Sequence, residues 1–133
     1  LEAAADVDYC LPSRSELCWM AEECEPEKAA ARLLHSMKKG AVVMKNGPEG
    51  ATAWEKDRIG AVHVPSLPVQ AVDTTGAGDA FDAGFIAALI QGRTLEECMQ
   101  RGVVCGSLAV TGKGGLASLP YKEELEEWVS RLQ

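Results

Sequence analysis

An α/β fold, with a mainly parallel sheet flanked by helices and one antiparallel excursion, is predicted by three observations. Short β-type runs alternate with segments of helical periodicity along the chain. Two capping boxes, Ser13 to Glu16 and Thr94 to Glu97, and prolines at positions 26 and 120 mark helix starts. A tight Asn46-Gly47-Pro48-Glu49-Gly50 turn separates two β-type runs closely enough to make them hairpin partners.

In order, Val7 to Leu11 reads as a strand stopped by Pro12, with a switch into helix at the Ser13 capping box. Pro26 suits a first helical position. Ala30, Leu33, Leu34 and Met37 recur at helical spacing behind it, and Gly40 provides the stop. Ala41 to Met44 is an apolar strand, Ala51 to Trp54 its returning partner, and Val62 and Val64 alternate as a further strand. From Asp79 to Ile90 the residues are apolar almost all round, which predicts a buried helix. The helix after Thr94 carries Gly102 and Gly106 four residues apart, a spacing that lets a neighbouring helix come close. A last amphipathic helix opens at Pro120, with Leu125, Trp128, Val129 and Leu132 on one face. Ligands of such sheets bind at the carboxyl ends of strands, so the loops there are the place to look for chemistry.

With 133 residues, 47% of them hydrophobic, one compact core is expected. Thirteen Lys and Arg against twenty Asp and Glu leave a net charge of −7, which repels a phosphate backbone and argues against nucleic acid as a partner. Any bound anion must then be held by a local feature. The five cysteines are odd in number and form no C-x-x-C pair, so neither a disulfide framework nor a zinc site is signalled. No signal peptide and no membrane-length apolar run is present, which makes a soluble, cytoplasmic protein with reduced thiols the expectation. Because Leu1 leads almost directly into a buried-type strand, the chain is expected to be a fragment.

The richest segment for chemistry is Asp73-Thr74-Thr75-Gly76-Ala77-Gly78-Asp79-Ala80-Phe81, just ahead of the apolar helix. Gly76, Ala77 and Gly78 leave the backbone bare where a helix begins. Unpaired N–H groups and the positive end of the helix dipole there form an anion hole for a phosphoryl group. A carboxylate beside such a site repels its ligand unless it has a chemical task, and the position of Asp79 suits general-base work on an attacking hydroxyl. The alternative is that Asp79 only caps a helix after a glycine turn.

This nine-residue string resembles the second signature of the PfkB carbohydrate kinases, ribokinase-like enzymes, and the other segments follow the family's order over nearly the whole chain. The resemblance implies the carboxy-terminal half of such a kinase, spanning 1–133, that transfers phosphate from ATP to a sugar-like hydroxyl with Asp79 as catalytic base. Lys45, Gly47 and Gly50 fall in the loop that covers nucleotide phosphates, where many members have Thr in place of Lys45; an ordinary hairpin turn is the alternative. Glu16 matches the last residue of an N-x-x-E motif that organises Mg2+ and phosphate, but Ser13 replaces its Asn. Val103 stands where relatives touch the base, although a helical valine also suits the core. Asp73, Thr75, Ala109, Gly112, Gly114 and Ser118 correspond to ligands of a monovalent cation such as K+, supplied by a late loop that is otherwise a simple glycine connection. The acceptor-binding amino-terminal half and its lid have no counterpart here. The fragment is therefore expected to be inactive alone, to self-associate or dock on that half, and to act on a small-molecule substrate without a membrane partner. A non-catalytic nucleotide-binding or assembly module of the same fold is the competing expectation.

Overall fold

The computed structural model describes residues 2–114 and 117–132. Its strands are β1 (Tyr9–Cys10), β2 (Ala41–Lys45), β3 (Ala51–Glu55) and β4 (Ala61–Val64), in the spatial order β1-β2-β3-β4. The helices are α1 (Arg14–Ala21), α2 (Pro26–Ser36), α3 (Ala77–Ile90), α4 (Leu95–Ala109) and α5 (Lys122–Leu132). The mixed α/β class is as expected, but parallel pairing does not dominate. β1 and β2 run parallel, extended by a bridge between Ser13 and Lys45, whereas β2 and β3 are antiparallel with Val43 opposite Ala53. The reason lies in the connections. Only the β1–β2 link is long enough to carry helices, and a crossover of that kind is what a parallel pair needs.

The chain divides into two compact units instead of the single core expected, Leu1–Gly47 with Ala51–His63 and Pro48–Gly50 with Val64–Gln133. The first unit is held by Leu17, Ala29, Ala30, Leu33, Met37, Val42 and Met44, all buried between the sheet and the pair α1 and α2. Both termini of α1 are satisfied locally. Ser13 and Glu16 form the reciprocal capping box, and Glu22 closes the helix in the left-handed conformation. Gly40 has φ +91°, and a Cβ there would overlap the carbonyl of Asp8, so only glycine admits the return into β2.

In the second unit, α3 and α4 pack through their glycines. A Cβ on Gly102 would lie 2.9 Å from the Phe81 ring, and one on Gly84 would lie 2.7 Å from the Arg101 carbonyl oxygen. The close approach foreseen from Gly102 and Gly106 is therefore present, with Gly84 as the reciprocal contact. Arg101 is buried, but its guanidinium donates to both carboxylate oxygens of Glu126 at 3.0 and 2.7 Å and to the Glu97 carbonyl oxygen, tying α5 to α4. Ser107 Oγ accepts from Leu67 N and exchanges a hydrogen bond with Ser66, anchoring the segment that precedes the functional loop. Cys98 and Cys105 are core residues, as their helical setting implied, and burial pushes the Cys105 thiol up to about 11.

Two expectations need correction. β1 is two residues long where five were expected: Asp8 and Pro12 still accept from the Ala41 and Lys45 amides, but only Tyr9 and Cys10 pair in register as a strand, and Ser13 adds an isolated bridge. The helix α3 was expected to be buried all round, yet Ile86 is 47% and Ile90 81% exposed, and Ala83 and Ala87 are exposed as well. Its buried stripe is Ala80, Phe81, Gly84, Phe85 and Ala88, the face turned to α4; Ala83, Ile86, Ala87 and Ile90 lie on the exposed side. Smaller shifts of boundary also occur: α3 begins at Ala77 and α5 at Lys122.

Candidate active site

The loop before α3 is built by one glycine and one carboxylate. Gly76 is the N-cap residue, with φ 77° and ψ 4°, a left-handed conformation that glycine adopts without a steric cost. It contributes no side-chain cap. Ala80 N donates to the Gly76 carbonyl at 2.9 Å and Ala77 N to the Thr74 carbonyl at 3.3 Å. Among the described residues, the amides of Gly76, Gly78 and Asp79 have no backbone acceptor, and all three belong to the exposed or half-buried rim of the unit. These are the unpaired donors that an anion at a helix start requires.

Asp79 lies in the first turn of α3 and is exposed. The capping alternative is not realised, since the cap is Gly76 and no side-chain hydrogen bond closes the helix end. Among the described residues Asp79 has neither a hydrogen bond nor an ion pair. A carboxylate placed beside bare amides and bonded to nothing is available to take a proton.

Asp73 holds the loop from behind. Its Oδ1 accepts from Thr75 N at 2.9 Å and its Oδ2 from Gly114 N at 3.2 Å, so the loop before α3 is stapled to the loop after α4. Val110 contributes a second tie by accepting from the amides of Val72 and Asp73. The hydroxyl and amide of Thr75, and then the amide of Gly114, hold the Asp73 carboxyl below its ordinary value. A group depressed in this way contributes its tie above the unfolded pKa, and the contribution is lost as pH falls through the lower folded value. The staple is therefore fully formed at neutral pH. Asp73→Asn, which replaces one acceptor oxygen by an amide donor, should speed hydrogen exchange at the Thr75 and Gly114 amides at pH 7. Unchanged exchange at both would show that the staple does not hold the loops. Of the other residues matched to cation ligands, Gly112 and Ser118 are adjacent, a Cβ on Gly112 falling 2.0 Å from Ser118 Oγ, and Ala109 ends α4. Gly115, within the same loop, lies outside the described residues.

The first unit carries a separate feature, an open groove of about 590 Å³. Ser13, Arg14 and Ser15 line one side, and Lys45, Asn46 and Gly47 at the end of β2 the other. Cys18 and Cys24 complete it, with the Cys18 thiol donating to the Cys24 carbonyl at 3.3 Å. Lys45 and Gly47, expected at a nucleotide site, line this groove together with Arg14, which the sequence did not single out because an exposed arginine in the first turn of a helix has no signature of its own. Gly47 has φ +51° and open space where a Cβ would stand, consistent with a backbone that another molecule can approach. Gly50 differs from it. A Cβ there would lie 2.1 Å from the Val64 carbonyl oxygen, so its bare face is filled by the chain itself.

Glu16 is committed to the capping box, its Oε2 accepting from Ser13 N at 2.7 Å. That bond, then the bond from the Ser13 hydroxyl, lowers its carboxyl from the ordinary value, with Lys45 adding a smaller electrostatic contribution. The second carboxylate oxygen is available to a hard cation. Among the described residues no group of three or more His, Cys, Asp or Glu side chains is placed to hold a metal ion, so a single carboxylate such as Glu16 could contribute only one ligand to Mg2+. Val103 is buried in α4, 4% exposed. No described helix is long and apolar enough to cross a membrane.

Strand-helix alternation, a glycine-opened helix start and a free carboxylate in its first turn define an α/β protein of the ribokinase-like fold class. The solved structures agree. The ribokinase from Thermotoga maritima superposes with a TM-score of 0.86 at 32% identity, covering 96% of this chain and 43% of that one. A ribokinase II from E. coli solved with ATP and Mg2+ gives 0.87 at 32%, covering 97% and 41%. Residues 1–122 match the pfkB family carbohydrate kinase profile, and the chain belongs to that family. Among curated proteins, the deoxyribokinase of Salmonella typhi is 34% identical over 131 residues. That alignment takes in 96% of this chain and 42% of the deoxyribokinase, so the chain spans less than half the length of the relatives it matches.

Proposed function

We propose that this chain is the carboxy-terminal, nucleotide-handling part of an ATP-dependent kinase that phosphorylates a hydroxyl of a sugar or sugar-like small molecule. The observation that carries this reading is the unpartnered Asp79 beside the bare amides of Gly76 and Gly78. Asp79 accepts the proton of the attacking hydroxyl, while the amides of the loop stabilise charge on the transferred phosphoryl group. Asp79 also speaks against a pure binding module, in which a carboxylate next to an anion site would only weaken binding. Relatives solved with ATP, one of them also with ribose, support the substrate class.

Mg2+, when bound, would neutralise phosphate charge, and Glu16 would hold it, directly or through water, by the carboxylate oxygen that the capping box leaves open. Asp73, Thr75, Ala109, Gly112, Gly114 and Ser118 are the donors proposed for a monovalent cation such as K+. Such an ion would stiffen the same two loops that Asp73 already staples. Lys45 and Gly47 meet nucleotide phosphates, and Gly50 and Val103 support nucleotide binding by fixing backbone and helix. The uncovered apolar stripe of Ile86 and Ile90 is the docking face for the acceptor-binding part or for a second copy, and the setting is cytoplasmic. Without that part the hydroxyl is not positioned, so the chain alone turns over no sugar.

Gly78→Val tests the anion hole directly, since a branched side chain in the first turn of α3 crowds the approach to its amides. Calorimetry should find ATP affinity reduced about tenfold, equivalent to losing one charged hydrogen bond of about 1.4 kcal/mol. Unchanged affinity would remove the loop from the nucleotide site.

A further inference from the structure

The groove of the first unit has a charge pattern that the family resemblance did not assign. In a chain of net charge −7, its lining contains two cations, Arg14 and Lys45, and no Asp or Glu. The two reach it from different elements, Arg14 from the first turn of α1 and Lys45 from the last position of β2, and the parallel bridge between Ser13 and Lys45 fixes those elements side by side. Arg14 is exposed and, among the described residues, has no hydrogen-bond or ion-pair partner. The neighbouring carboxylate is engaged through one oxygen: Glu16 and Ser13 bond to each other in the capping box, and Ser13 Oγ also meets Ser15 Oγ at 3.3 Å.

We infer that Arg14 is a polyphosphate-binding residue which, with Lys45, neutralises the phosphate tail of a nucleoside triphosphate in this groove. The inference deepens the nucleotide-binding reading and rests on it. With Ser13 in the capping box and only one Glu16 oxygen left for a cation, part of the phosphate charge falls to these two side chains. A planar guanidinium opposite an ammonium suits a chain of phosphates, since the first offers paired donors and the second a compact charge. A volume of about 590 Å³ accommodates a small ligand of that kind. Binding of the tail is then partly independent of divalent metal.

Calorimetry on the 133-residue chain in EDTA, with inorganic tripolyphosphate and with ATP as separate probes, tests this. Both should bind, Arg14→Gln should weaken both about tenfold, and Arg14→Lys should recover part of the loss. Arg14 is exposed and lies outside every core cluster, so the variants should fold, which circular dichroism checks. Binding of ATP by the unaltered chain with no change in Arg14→Gln would overturn the inference and leave the nucleotide reading standing. So would ATP binding that vanishes completely in EDTA. Failure of the unaltered chain to bind ATP with or without Mg2+ would overturn both.

Discussion

Asp79→Asn in the complete kinase should lower turnover by a factor of about 10² to 10⁴ and leave ATP affinity level or slightly raised. The size of the fall follows from removing a positioned proton acceptor while keeping shape and volume. Affinity does not fall because Asp79 makes no bond that the change breaks, and loss of its charge relieves repulsion of the phosphates. A cap role predicts the opposite pattern, since Asn caps a helix as well as Asp does and activity would survive. Steady-state kinetics at saturating ATP and acceptor distinguish them. More than about half the parental turnover would remove Asp79 from catalysis.

The bare helix start before α3 was readable in the sequence because its features are local. Gly76, Ala77, Gly78 and Asp79 are contiguous, and a bare helix start means the same thing in any surrounding fold. Capping boxes and the hairpin turn were readable for the same reason. The Asp73 staple was less so, since its partner Gly114 is 41 residues away and only folding brings the two together. Arg14 did not stand out on similar grounds: only folding sets it in one groove with Lys45, on another element. The burial of α3 was misjudged because composition reports what a helix can bury and says nothing of whether a partner is there. Ile86 and Ile90 have the character of core residues but are exposed.

The position of Asp79 depends on how closely α3 lies on α4, and Gly84 is where that closeness is tightest. A Cβ at Gly84 would meet the Arg101 carbonyl oxygen at 2.7 Å and the Cys105 sulfur at 2.8 Å. The sulfur can turn aside, but the carbonyl belongs to the middle of α4 and cannot. Alanine in a helix gains up to about 1 kcal/mol over glycine, whereas overpacking costs about 1 to 3 kcal/mol. Gly84→Ala should therefore be net destabilising, and Gly84→Val, with less helix propensity and two more carbons, should lose about 3 kcal/mol, lowering Tm by roughly 10 °C. Gly106 provides the contrast within the same helix pair. A Cβ there finds the Ala77 carbonyl at 3.2 Å and Phe81 Cβ at 3.5 Å, contacts that a shift of a few tenths of an ångström relieves. In Gly106→Ala the propensity gain should roughly cancel that strain, leaving stability within about 0.5 kcal/mol of the parent. Thermal and urea unfolding of the three variants measure the difference. If Gly84→Ala and Gly106→Ala behaved alike, α3 and α4 would not be in backbone contact at Gly84, and the support for Asp79 would have to come from elsewhere.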